Sequence, residues 1–357
     1  MAGILLTAFY FSFRHNTGVV TFVAEKITRP YHSLAGRVCA YVNFSVAELF
    51  YVAAITVSVI YLIIQIARIL RKDNKKEIIL KTALTFLSLA AAFYGGFCLL
   101  WGFYYQYSDG MDFCDLQESP ISVEELSGVC LYFADKANEL GTQVNRDENQ
   151  LFTTDREYIL SLSHSLYENL AEIYPALQGA SLRAKGVIHS RFMSRINFTG
   201  FFFPFTGEAN VNTDSPVCLF PATIAHEIAH QRGIAREDWA NFVAVIACME
   251  SPYTEYRYSA ALLAYIHLSN ALYKADYNRW LEIRNRLSES VLCDLTANTA
   301  YWTRYSSGGA AKISETIYDD FLKGYGEARG RQSYGACVDL LVNYYYPLCD
   351  FPAEPAQ

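Results

Sequence analysis

The chain has 357 residues, 52% of them apolar, with a mean hydropathy of +0.10 and a formal net charge of −7. That length holds one sizeable domain plus membrane segments, or two small domains, and the crowding of apolar residues into the first third selects the former. Arg68 to Lys81 carries six basic and two acidic residues, so the remainder stands at −11, which excludes nucleic acid as a partner.

The opening residues 1–13, "MAGILLTAFYFSF", are uncharged but reach only ~20 Å as a helix. Without a basic start or a small-residue cleavage site they do not form a signal peptide, and they read as a third, short membrane helix. A pass from inside to outside there leaves Arg14 to Glu48 as an outer loop along the membrane surface.

Two charge-free runs follow, at residues 49–67 ("LFYVAAITVSVIYLIIQIA") and 82–105 ("TALTFLSLAAAFYGGFCLLWGFYY"). Each spans the ~30 Å of a hydrocarbon core at ~1.5 Å per residue, and core helices of soluble domains rarely stay uncharged for so long. Both are expected to be transmembrane. Arg68, Arg71, Lys72, Lys75, Lys76 and Lys81 gather between them, whereas Asp109, Asp112, Asp115 and Glu118 follow the second. The basic loop is therefore cytoplasmic, and Phe50, Tyr51, Trp101, Tyr104 and Tyr105 form an aromatic belt on the outer side. Residues 1–105 make the membrane region, 106–120 a linker, and 121–350 an extracytoplasmic domain.

That domain reads as mainly α with a small β-sheet. "SVEELSGVCLYFADKANEL" opens with Ser122 and Glu125 at capping-box spacing, "DREYILSLSHSLYENLAEIY" has the same periodicity, and from Tyr253 to the C-terminal "SYGACVDLLVNYYY" one helical pattern follows another. Strand signals cluster in "KGVIHS", "FTGFFFPF" and "EANVNT". Of nine cysteines none forms a C-x-x-C pair, and the seven after residue 105 leave disulfide pairing open.

"FPATIAHEIAHQRGIAREDWANF" carries the chemistry. In "HEIAH" a helix projects His226 and His230 from one face a turn apart and displaces Glu227 by roughly 100°, beside a metal and able to touch its water without ligating. Pro221 suits the helix start and Gly233 its stop. A catalytic zinc needs three protein ligands and an open position. Glu237, at the start of a second helix, is the expected third ligand, with Asp238 as fallback. Asn241 is placed to orient the Glu237 carboxylate, and Ala240 lets the helices approach closely.

"EDWAN" resembles the E-x-x-A-[ND] element of gluzincin-type metallopeptidases, which implies a zincin-like fold; a metzincin pattern fails at Arg236. Zincins lay an extended substrate along an edge strand, and "TGEANVNT" fits such an edge, with Asn210 and Asn212 as substrate-binding candidates. An oxyanion donor is sought among Tyr301, Tyr334, Arg232 and Arg236. His164, His189 and His267 read as packed histidines.

Four blocks together, "FPFTGEANVN" (Phe203 to Asn212), "TIAHEIAHQRG" (Thr223 to Gly233), "EDWANF" (Glu237 to Phe242, Trp239 standing where Glu is common) and "NTAYWTRY" (Asn298 to Tyr305), resemble the uncharacterised bacterial membrane family labelled domain of unknown function 3810. The resemblance covers nearly the whole chain and implies a zinc peptidase of unknown substrate; the N-terminus departs by lacking a basic start and a full-length first helix. The expected function is a membrane-anchored peptidase with one Zn2+ per chain, zinc-activated water as nucleophile and Glu227 as general base, acting on a peptide or protein outside the cytoplasm. The alternative is a non-catalytic membrane protein whose zinc fastens two helices.

Overall fold

The computed structural model describes residues 1–71, 74–107, 116, 120–306, 308–325 and 337–349, and the chain divides into two units. The first comprises Met1–Tyr107 with Phe203–Glu208; the second comprises Ser108–Phe202 with Ala209–Gln357.

In the first unit α1 (Ala2–Phe13), α2 (Thr17–Phe22) and, after a π-helical stretch Val23–Thr28, α3 (Arg29–Cys39) precede two long helices, α4 (Val46–Arg71) and α5 (Lys75–Leu100). Both long helices have the length and composition to cross a membrane, and their apolar spans are only 6% and 17% buried. Ile55, Leu62, Ile63, Leu84 and Leu87 face outward, unlike the core helix of a soluble domain.

The helices extend past the uncharged runs at their basic ends, where Glu77 and Lys81 pair at 2.6 Å across one turn. After Leu100 the aromatic run tightens into a 3-10 turn, Gly102–Gln106. Lys72, Asp109, Asp112, Asp115 and Glu118 lie outside the described residues.

The short α1 packs on α5 through glycine: a Cβ on Gly3 would stand 2.3 Å from the Ala91 carbonyl oxygen, and one on Gly95 2.3 Å from that of Gly3. Only an absent side chain permits that approach. In the same unit Phe203 meets the rings of Phe50 and Tyr51 at 5.5 and 5.0 Å, and Phe205 stacks on Phe93 at 4.8 Å. Glu208 accepts the Val46 and Ala47 amides at 3.1 and 2.8 Å, neutralising the start of α4.

The second unit is helical around a small sheet. It contains α6 (Val123–Gly141), α7 (Arg156–Leu162), α8 (Glu168–Ile173), β1 (Lys185–Val187), α9 (Ser190–Arg195), β2 (Gly200–Phe203), β3 (Glu208–Asn212), α10 (Phe220–Gln231), α11 (Glu237–Met249), α12 (Thr254–Ala275), α13 (Tyr277–Arg284), α14 (Glu289–Ser306), α15 (Gly309–Gly324) and α16 (Cys337–Tyr345). Phe203, the last residue of β2, and Glu208, the first of β3, are counted with the first unit.

The Ser122–Glu125 capping box forms as its spacing predicts. The run after Asp155 is broken by a 3-10 turn, Ser163–Ser165, and so gives two short helices rather than one. The core joins Leu126, Phe133 and Leu140 of α6 to Phe242 and Ile246 of α11 and Leu262 and Leu268 of α12.

Strand order is β1-β3-β2, with β1 parallel to β3. β3 is therefore central, and the expectation that "TGEANVNT" forms the edge is corrected. Every β3 residue is buried, because its polar side chains find partners inside rather than in solvent. The described cysteines are all free; Cys114 lies outside the described residues.

Candidate metal centre

α10 begins with Pro221 in its first turn and buries Phe220, Ile224, Ala225, Ile228 and Ala229. That burial orients the remaining face, which carries the two histidines. Gly233 adopts φ +95° and turns the chain from α10 into α11. Ala240, fully buried, lets α11 lie close to α10.

His230 Nδ1 lies 2.6 Å from the Ile234 carbonyl, and His226 Nδ1 lies 3.0 Å from Asn241 Oδ1. With Nδ1 of each ring held, Nε2 of each faces Glu237, at 3.1 Å for His226 and 3.6 Å for His230. The rings stand perpendicular with centroids 4.6 Å apart. The three potential ligand atoms lie within 4.8 Å of one another. Tetrahedral ligands at about 2.0–2.1 Å from zinc are separated by about 3.4 Å, so a small contraction fits this set to the ion.

Asn241 acts differently from the expectation. It does not hold the Glu237 carboxylate; it binds His226 and donates Nδ2 to the Glu237 backbone carbonyl at 2.9 Å. One turn of α11 places its amide over the backbone and the neighbouring helix's ring. The Glu237 carboxylate instead accepts from the Tyr318 hydroxyl of α15, whose ring packs edge-on against Phe198 at 5.5 Å. Nothing in the local sequence marks Tyr318, 81 residues beyond its partner.

Charge accounts for the protonation pattern. Burial opposes ionisation of Glu237, but His230, His226 and the Tyr318 hydrogen bond hold its pKa down to about 2. Burial also opposes the His226 imidazolium, yet Glu237 and then Glu227 outweigh it and raise that pKa above the ordinary value. For His230 burial prevails and lowers it to about 4.

Glu227 is 3% exposed, and burial raises its carboxyl to about 8, with Glu237 acting in the same sense and His226 against it. Its Oε2 has no hydrogen-bond partner among the described residues. A buried carboxylate oxygen left unpaired costs about 1–3 kcal/mol and so marks a place for a donor such as water. Gly200 of β2 makes room for this carboxylate: a Cβ there would lie 2.5 Å from Oε1.

The other candidates lie elsewhere. Asp238 is engaged by Arg236 and by the Trp239 amide, so neither the fallback ligand nor Arg236 joins the cluster. The Arg232 guanidinium donates to the Leu177 carbonyl at 2.8 Å and covers the Tyr167 ring. Asn210 is buried and reaches the Phe201 carbonyl at 3.4 Å, while Asn212 is tied to Ser194 and the Phe198 carbonyl, both at 2.9 Å. Both support the hairpin from within. Tyr301 donates to Asp214 at 2.6 Å and accepts from the Ser194 hydroxyl at 2.7 Å. Tyr334 lies outside the described residues.

His267, on α12, is close enough to His226 for their charges to interact, and burial first, then His226, lowers its pKa to about 4. It is not part of the three-ligand group.

Compared with known proteins, the chain matches one family model, described as "Protein of unknown function (DUF3810)", over residues 24–342. No curated protein and no solved structure matches it.

Proposed function

The chain belongs to the DUF3810 family of proteins of unknown function, and on that premise we propose that it is a membrane-anchored, zinc-dependent peptidase with a zincin-like catalytic unit. The observation that carries this reading is the unpartnered, buried Oε2 of Glu227 beside a convergent His226, His230 and Glu237. A zinc that merely fastened α10 and α11 would give the chain no reason to bury a carboxylate there.

His226, His230 and Glu237 would hold the ion, with Asn241, Ile234 and Tyr318 orienting them. Zinc bound there supplies Lewis acidity, making a water nucleophilic near neutral pH and polarising a carbonyl. The rest belongs to this chain's residues. Glu227 takes the proton of the attacking water at Oε2 and delivers it to the leaving amine. A carboxyl raised towards neutrality suits both transfers, and a nearby cation favours its ionised form before attack.

With β3 central, β2 becomes the strand along which an extended peptide is laid, its Gly200 end against Glu227. α4 and α5 cross the membrane with the intervening basic turn in the cytoplasm and the second unit outside.

The test uses the full chain in bilayer nanodiscs. Wild type is expected to hold one zinc per chain and cleave members of a diverse peptide library, and Glu227→Gln to keep zinc and Tm while losing cleavage. Equal cleavage by both forms refutes the role of Glu227, and a zinc-loaded wild type without any cleavage refutes the enzyme.

A further inference from the structure

The first unit carries an apolar stripe that its own packing leaves uncovered. On α3, Tyr31, Leu34 and Val38 fall within an arc of about 60° at ~100° per residue, Tyr31 at its edge with the hydroxyl donated to the Phe205 carbonyl at 2.8 Å. Leu34 and Val38 are 66% and 60% exposed. Ile27 continues the stripe before the helix and Tyr41 after it, both exposed. The opposite face, with Thr28, His32 and Gly36, is buried.

That buried face fixes where α3 lies. Thr28 donates to the Leu99 carbonyl at 3.0 Å and His32 packs on Tyr104 at 5.9 Å, so α3 sits where α5 ends. From its C-terminus the chain passes exposed Phe44 and enters α4, whose first turns expose Leu49 and Phe50. The chain thus leads from the stripe directly into the outward apolar residues of α4. Lys26 and Arg37, both exposed, lie on one flank of it. From Arg14 to Glu48 there are four basic residues and two acidic ones, in a chain that is acidic overall.

A helix with one face packed on protein, an adjacent apolar stripe and a basic flank, held at the end of two membrane-crossing helices, matches the boundary between acyl chains and headgroups. We infer that α3 is an in-plane membrane anchor, with Leu34 and Val38 in the acyl region of the outer leaflet and Lys26 and Arg37 on anionic headgroups. This rests on α4 and α5 crossing the bilayer, as proposed above. A second copy of the chain on the same stripe is the competing occupant.

The full chain, reconstituted in vesicles of phosphatidylethanolamine and phosphatidylglycerol, would carry the photo-crosslinker p-benzoylphenylalanine at Leu34, Val38, Ile63 of α4 or Tyr158 of α7. Lipid adducts are expected at the first three positions and not at Tyr158. Adducts at Ile63 without any at Leu34 and Val38, or crosslinked dimers from Leu34 in their place, overturn the anchor while sparing the membrane reading. None at Ile63 overturns both. In Lys26→Gln/Arg37→Gln the phosphatidylglycerol share of the Leu34 adducts should fall by about twofold or more, and an unchanged share overturns the headgroup contact.

Discussion

Gly200 and Glu227 are in such close contact that a single methyl group cannot be placed between them: a Cβ at position 200 would lie 2.5 Å from Oε1 and 2.8 Å from Cδ of the carboxylate. Strand β2 thus sets how far the Glu227 side chain extends. In Gly200→Ala the atoms in the way all belong to the Glu227 side chain, so the carboxylate must swing out of its place or the strand must shift. With the base displaced, at least a tenfold loss of cleavage with zinc retained is expected, which corresponds to ~1.4 kcal/mol of activation free energy. Unchanged cleavage at wild-type zinc content would show that this contact does not position the base.

Metal content separates Glu237 from its neighbour. Glu237→Gln removes a ligand and should leave the site empty after dialysis at neutral pH. Asp238→Asn should stay loaded, since that carboxylate serves Arg236. The opposite pattern, measured by elemental analysis, would move the third ligand to Asp238.

The residues behind the ligands should act through affinity. Asn241→Ala frees His226 Nδ1, and Tyr318→Phe removes the hydroxyl bound to Glu237. Each is expected to weaken zinc binding by about 10–100-fold with little change in fold. Competition with a chelating dye provides the measurement, and affinities equal to wild type would make both contacts incidental to the metal.

Proton release gives a pH test. Zinc requires neutral imidazoles. In the metal-free chain burial works against the His226 cation, but Glu237 and Glu227 raise its pKa above the ordinary value, so wherever the ring is charged, up to a higher pH than for an ordinary histidine, binding must displace that proton. Apparent affinity should rise with pH and level off above the His226 pKa, falling by about tenfold per unit below it. Calorimetry at pH 6, below the ordinary histidine value, in two buffers of different ionisation enthalpy should show roughly one proton or more leaving per zinc. Identical heats in both buffers would mean that His226 is already neutral.

Membrane orientation is open to labelling of intact cells with an impermeant maleimide. A cysteine at Tyr158, which is exposed on α7, should react at once, and one at Asn74, before α5, only after permeabilisation. Reaction at Asn74 alone would reverse the orientation.

Local spacing made the heart of the site readable. Two histidines four apart on a helix share a face, and a glycine that tolerates positive φ ends that helix, so both features follow from a few adjacent residues. The Ser122–Glu125 box is readable for the same reason. What escaped was set by distance in sequence. Tyr318 reaches Glu237 from 81 residues away, and Gly200 acquires its meaning only when β2 lies against α10. Strand order is likewise non-local: "EANVN" has the polarity of an edge, yet Asn212 satisfies its amide inside the fold through Ser194 and the Phe198 carbonyl. Arg232 and Arg236 stood close enough in sequence to suggest an oxyanion donor, but Leu177 and Asp238 claim them.

The six residues Phe203 to Glu208 group with the helices of the first hundred residues rather than with the strands they connect. Secretion of the second unit alone, by cutting the chain after Tyr107, would therefore sever this loop from its surroundings. Phe203 and Phe205 would lose Phe50, Tyr51 and Phe93, and the Glu208 carboxylate would lose the two amides it neutralises. The trimmed protein would present a greasy loop at the tip of the very strands that carry Gly200 and Asn212, and it would be prone to precipitate. An inactive soluble fragment would then report the damage of excision and say little about the chemistry of the intact chain.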